Sequence, residues 1–106
     1  MTRSVLVFRL AAGRRDAFVE MFRRLEVLRR SSRQPGFLRA QLFVRADDTD
    51  EALVTADWES PEAYQGWLDN PVRAEIGEHL EPLLAAEPEP RVYELVEDVG
   101  PDREGA

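Results

Sequence analysis

Apolar positions change their spacing along the chain and so mark out a succession of elements. Val5-Leu6-Val7-Phe8-Arg9-Leu10 is rich in β-branched and aromatic residues and runs into Ala11-Ala12-Gly13, which predicts a strand followed by a turn. From Arg14 to about Arg30, Phe18, Met21, Phe22, Leu25 and Leu28 recur at three- and four-residue spacing, with arginines largely on the other side, which predicts one long amphipathic helix. Phe37 to Arg45 alternates, with Leu38, Ala40, Leu42 and Val44 on one face. Across the polar stretch 46–51, Ala52 to Glu59 answers with Val54, Ala56 and Trp58, so these two strands are expected to pair antiparallel. Ser60 is a good helix N-cap, Pro61 suits the first helical position and Glu62 suits the positive end of the helix dipole. The short helix they start carries Tyr64, Trp67 and Leu68 on one side. Asn70-Pro71 caps a further helix whose stripe is Val72, Ile76, His79, Leu80 and Leu83, ended by Glu87-Pro88-Glu89-Pro90. Arg91 to Val96 reads as a fourth strand, and the acidic tail 97–106 reads as disordered.

The order βαββααβ fits an α+β, ferredoxin-like domain over residues 1–96, in which a four-stranded antiparallel sheet carries helices on one face. The opposite face is expected to mix Phe37, Phe43 and Leu53 with Arg39, Gln41, Thr55 and Asp57, a surface better suited to a partner's sheet than to water. Two such sheets packed together make a homodimeric α/β barrel. A chain of 106 residues holds one core and gains from sharing burial with a second copy.

Composition narrows the chemistry. Without cysteine there is no disulfide framework and no thiolate, and the single histidine, His79, excludes a multi-histidine metal centre. Asp47, Asp48, Asp50 and Glu51 lack the glycine and distal glutamate of a calcium loop and read as a solvated turn. Residues 1–45 hold eleven arginines against Asp16, Glu20 and Glu26, whereas the rest of the chain is strongly acidic and the net charge is −7. With that acidic total and no binding motif, nucleic acid is not an expected partner. No apolar run reaches membrane-spanning length or resembles a signal peptide, so a cytoplasmic location is expected.

Three groups of residues are more specific: Pro35-Gly36-Phe37 before the second strand, Trp58-Glu59-Ser60 closing the third, and Glu62-Ala63-Tyr64 with Trp67 three residues on. In spacing and element order, residues 4–96 resemble the antibiotic biosynthesis monooxygenase family of dimeric α/β barrels. Its members include small oxygenases that convert anthrones, naphthols or quinols into quinones without a cofactor, as well as haem-degrading enzymes.

The resemblance implies a small aromatic substrate and O2 in an apolar pocket. It places Trp58 and Tyr64 where anthrone oxygenases contact substrate. The strand-three asparagine of those enzymes falls at Val54 here, and their catalytic arginine falls close to Gly77. His79 is then the residue available as base or donor, because imidazole exchanges protons near neutral pH. The expected catalytic set is Trp58, Tyr64 and His79, with Trp67, Arg73 and Asn70 binding substrate and no metal. Of the haem-degrading features only Trp67 is matched, since the asparagine position falls near Leu6 and the axial histidine at Gly77. A non-redox, cyclase-type or ligand-binding member of the same fold is the alternative reading.

Overall fold

The computed structural model describes residues 1–102. Its elements are β1 (Thr2–Arg9), α1 (Arg15–Arg24), α2 (Val27–Ser31), β2 (Phe37–Val44), β3 (Glu51–Trp58), α3 (Pro61–Leu68), α4 (Val72–Leu80) and β4 (Glu89–Glu94), with a 3-10 turn at Glu81–Leu83 after α4. The sheet order is β2-β3-β1-β4 and every pair is antiparallel, which is the ferredoxin-like α+β arrangement. Helices cover one sheet face. Phe8, Leu10, Phe18, Phe22, Ala52, Ile76 and Leu80 form the buried core between the layers. Among the described residues no helix is long and apolar enough to cross a membrane.

Three local expectations are corrected. The long first helix is broken: Glu26 adopts a left-handed conformation at φ 51°, and the chain restarts as α2. No glycine or proline announces the break, so apolar spacing alone carries on through it. Strand four begins at Glu89 rather than Arg91 and stops at Glu94. Phe37 does not lie on the open sheet face. The β2–β3 register shifts between Phe37 and Arg39, so Leu38 becomes the extra residue of a bulge and is half exposed, while Phe37 turns to the helix side and meets Trp58 edge-on at 5.6 Å. Of the tail, 97–102 carry no helix or strand, and 103–106 lie outside the described residues.

The bulge also explains why two separated sequence motifs belong together. Gly36 has φ 83°, and its carbonyl accepts a hydrogen bond from the Glu59 N–H at 2.8 Å. A Cβ at position 36 would lie 2.5 Å from the Ala63 Cβ, so the backbone before β2 rests directly on α3. The helix itself starts where Ser60 Oγ accepts from the Ala63 N–H at 3.2 Å. Pro35-Gly36-Phe37 and Trp58-Glu59-Ser60 are thus two sides of one contact. Gly36→Ala is expected to lower stability by about 1–3 kcal/mol through overpacking at a left-handed position. A thermal melt indistinguishable from wild type would contradict this contact.

Candidate active site

The helix layer does not close over the whole sheet. A mostly apolar cleft of 1170 Å³ lies between them, large enough for a multi-ring ligand. Alternation along the strands builds its floor: Ser4 and Leu6 from β1, Val54 and Ala56 from β3, and Val92 from β4. Tyr64 and Trp67 of α3 and Arg73, Ile76 and Gly77 of α4 form the wall above. All of β4 is exposed, so the cleft opens to solvent on that side.

Tyr64 and Trp67 stand on α3 three residues apart, hence on one face, and both reach the cleft. Behind them Trp58 is fully enclosed, with ring centroids 6.0 Å from Tyr64 and 6.5 Å from Trp67. The Trp58 Nε1–H donates to Ser4 Oγ at 3.0 Å, and Ser4 donates onward to the Ala56 carbonyl at 3.4 Å. Trp58 therefore positions the wall and holds Ser4, and it does not line the cleft as the sequence suggested. Ser4 itself was not foreseen, because a small polar residue in an alternating strand reads as solvated. Only its pairing with Trp58 marks it as a buried hydroxyl on the cleft floor.

Burial pushes the Tyr64 phenol above the ordinary tyrosine value, while the positive charge of Arg73 acts in the opposite sense. Tyr64 is thus a neutral O–H donor at physiological pH. Arg73 lines the same wall, and none of the ion pairs found among the described residues includes it. Its guanidinium offers a planar set of donors beside an apolar floor.

Two expected site residues lie elsewhere. His79 is exposed and absent from the cleft wall, because the buried stripe of α4 follows Ile76 and Leu80, and position 79 is rotated away from it. Asn70 is occupied as a cap, its Oδ1 accepting from the Val72 N–H at 3.0 Å and its amide reaching Gln34 at 3.4 Å.

The fold is that of a ferredoxin-like α+β domain whose helix layer leaves a ring-sized, mostly apolar cleft with Tyr64 and Arg73 on its wall. Residues 1–78 match the family described as antibiotic biosynthesis monooxygenase, and the chain belongs to that family. A heme oxygenase (mycobilin-producing) from Mycobacterium tuberculosis is 35% identical over 66 residues, which are 62% of this chain and 63% of that relative's length. Among solved structures, a monooxygenase from the gene ActVA-Orf6 of Streptomyces coelicolor, in complex with the ligand nanaomycin D, superposes with TM-score 0.81 at 25% identity, covering 95% of this chain and 92% of that one. SnoaB, a cofactor-independent oxygenase from Streptomyces nogalater, gives TM-score 0.76 at 22% identity, covering 92% and 95%.

The haem of the mycobacterial relative does not fit the donors present here. Haem iron needs an axial imidazole, thiolate or comparable ligand. Among the described residues the cleft wall carries no histidine, the chain has no cysteine, and burial disfavours the phenolate of Tyr64, the one tyrosine on the wall.

Proposed function

We propose that this chain is a monooxygenase that oxidises an electron-rich aromatic substrate, an anthrone or a quinol, to a quinone with O2 and without a cofactor. The observation that carries the reading is the cleft wall, where the Arg73 guanidinium and the neutral Tyr64 phenol border a mostly apolar, ring-sized space. An anthrone ring CH2 gives up one proton to become an anion whose charge is spread onto its oxygen, and Arg73 lowers the cost of that charge. The anion passes an electron to O2, and the resulting radical pair joins to form a C–O bond as a peroxide anion. Tyr64 donates the proton that neutralises the peroxide. Loss of the second ring hydrogen with the distal oxygen, as water, leaves the new carbonyl. One anthrone and one O2 thus give one quinone and one water. The first proton leaves to solvent on the open β4 side, without His79.

Support for a homodimer comes from the sheet face away from the helices. Val5, Val7, Leu53, Phe43 and Tyr93 lie there, with Phe43 and Tyr93 about half exposed, around an Arg3–Asp57 pair that is bonded twice, at 2.6 and 3.0 Å. Light scattering at micromolar concentration is expected to give twice the chain mass, and a monomer would overturn the dimer.

The reading is tested by oxygen uptake and quinone absorbance with anthrone and chelator-treated protein, heat-treated protein serving as control. Uptake matched one to one by quinone is expected, reduced in Tyr64→Phe and unchanged in His79→Ala. Saturable quenching of tryptophan fluorescence by anthrone without uptake would replace the oxygenase with a ligand-binding or cyclase-type protein. Because Tyr64 must stay protonated to donate and its value is raised, the alkaline limb of kcat/KM is expected above the ordinary tyrosine value of 10. An alkaline limb near neutral pH would remove Tyr64 from the donor role.

A further inference from the structure

A second, smaller space lies at the break between α1 and α2, and no step of the mechanism uses it. This notch of 420 Å³ has Phe22, Val27, Leu28 and Leu42 as its apolar lining, with the exposed Arg23, Glu26 and Arg29 at its rim. The break itself is held against local preference, since the left-handed conformation of Glu26 is disfavoured for a residue with a Cβ. Phe22, Val27 and Leu28 line the cleft as well, so the notch and the cleft share a partition one side chain thick. Leu42 borders the notch and not the cleft. Two of the three partition residues stand on α2, a helix of five residues that owes its stability to packing rather than to its own hydrogen bonds. Loop-scale motions of so short an element are far faster than a catalytic cycle.

We propose that this notch is the entry by which O2 reaches the cleft, with Phe22, Val27 and Leu28 as the gate between the two spaces. This rests on the oxygenase reading. The two reactants ask different things of a path. A planar multi-ring substrate needs the wide mouth that exposed β4 leaves, and once seated it fills that mouth. The sheet order puts β4 at one edge and β2, which carries Leu42, at the other, so the notch reaches the cleft from the opposite end of the sheet. O2 is small, uncharged and apolar, and dry apolar spaces take up species of that kind, xenon among them. A hydrated ion finds nothing in an apolar partition to replace its water, and a ring system is too large to pass between packed side chains. The gate therefore passes O2 to an aromatic ring already bound, without competition for the mouth.

The test is a series at Leu42 in the full chain, read as initial rates against O2 concentration at saturating anthrone, with anthrone binding measured separately by tryptophan fluorescence in the absence of O2. Leu42→Ala widens the notch, whereas Leu42→Phe and Leu42→Trp fill it. kcat/KM for O2 is expected to fall in the order Leu42→Ala, wild type, Leu42→Phe, Leu42→Trp, several-fold from first to last, while the affinity for anthrone stays unchanged. Loss of packing alone would slow Leu42→Ala too, so the rise in that variant separates a path from a structural defect, and it carries the test even if Leu42→Trp does not fold. Crystals of wild type under xenon pressure are expected to hold xenon beside Leu42. If the folded variants share the wild-type dependence on O2, if Leu42→Ala slows with the others, or if xenon is absent from the notch, the proposal is overturned and the oxygenase reading stands. If wild type takes up no O2 with anthrone, the oxygenase reading falls and takes the proposal with it.

Discussion

Trp58→Ala is expected to cost about 3–5 kcal/mol, the range for removing a fully buried large aromatic side chain. Such a loss is a large fraction of the roughly 5–15 kcal/mol that holds a domain of this size folded. Three rings, Phe37, Tyr64 and Trp67, lose a packing partner at once, and Ser4 Oγ loses the donor that satisfies it. Trp58→Phe keeps most of the ring contacts and loses the hydrogen bond, so its cost should be smaller. Urea unfolding of both variants reads these costs directly. The same pair separates positioning from catalysis. If Trp58 acts only by holding Tyr64 and Ser4 in place, folded Trp58→Phe retains turnover within a few fold, whereas a collapse of turnover in a fully folded Trp58→Phe would put the indole N–H into the reaction.

Arg73→Gln is expected to do the opposite, lowering kcat/KM about 100-fold with little change in stability. That factor is the usual effect of removing one preorganised donor from developing negative charge. Arg73 has no ion pair to break among the described residues and is only partly buried, so its effect on unfolding should stay within about 0.5 kcal/mol. Arg73→Lys keeps the charge but not the planar fork and should recover part of the loss. Steady-state kinetics on the three proteins check this, and an unchanged kcat/KM in Arg73→Gln would move the stabilising charge elsewhere.

Much of this architecture was legible because several local signals agreed. The Ser60 cap, Pro61 and the aromatic pair of α3 were each readable at short range, and the element order then left one topology. What escaped was of two physical kinds. One-residue irregularities are invisible to periodicity: the Leu38 bulge sits in an unbroken alternation, and Glu26 turns left-handed without the glycine that usually marks such a turn. Helical facing is also decided by small angles. His79 follows a plausible stripe in sequence, yet burial passes through Ile76 and Leu80 and leaves it in solvent. Because of that rotation His79 is missing from the cleft, whose wall carries Tyr64 and Arg73 and whose floor carries Ser4, the last without a sequence signal of its own.

A relative named as a heme oxygenase and a structural neighbour named as a monooxygenase share this fold, and fold alone does not choose a chemistry. The proposed oxidation of an aromatic ring rests instead on the side chains of this cleft, Tyr64 and Arg73, which suit a developing oxyanion.

The most direct measurement is the fate of isotopic oxygen in a single reaction under ¹⁸O2, with anthrone and chelator-treated protein. The mechanism requires one labelled oxygen in the quinone and the other in water, at a rate that falls in Tyr64→Phe and Arg73→Gln. A quinone without label, or labelled quinone formed no faster than with heat-treated protein, would contradict oxygenation in this cleft.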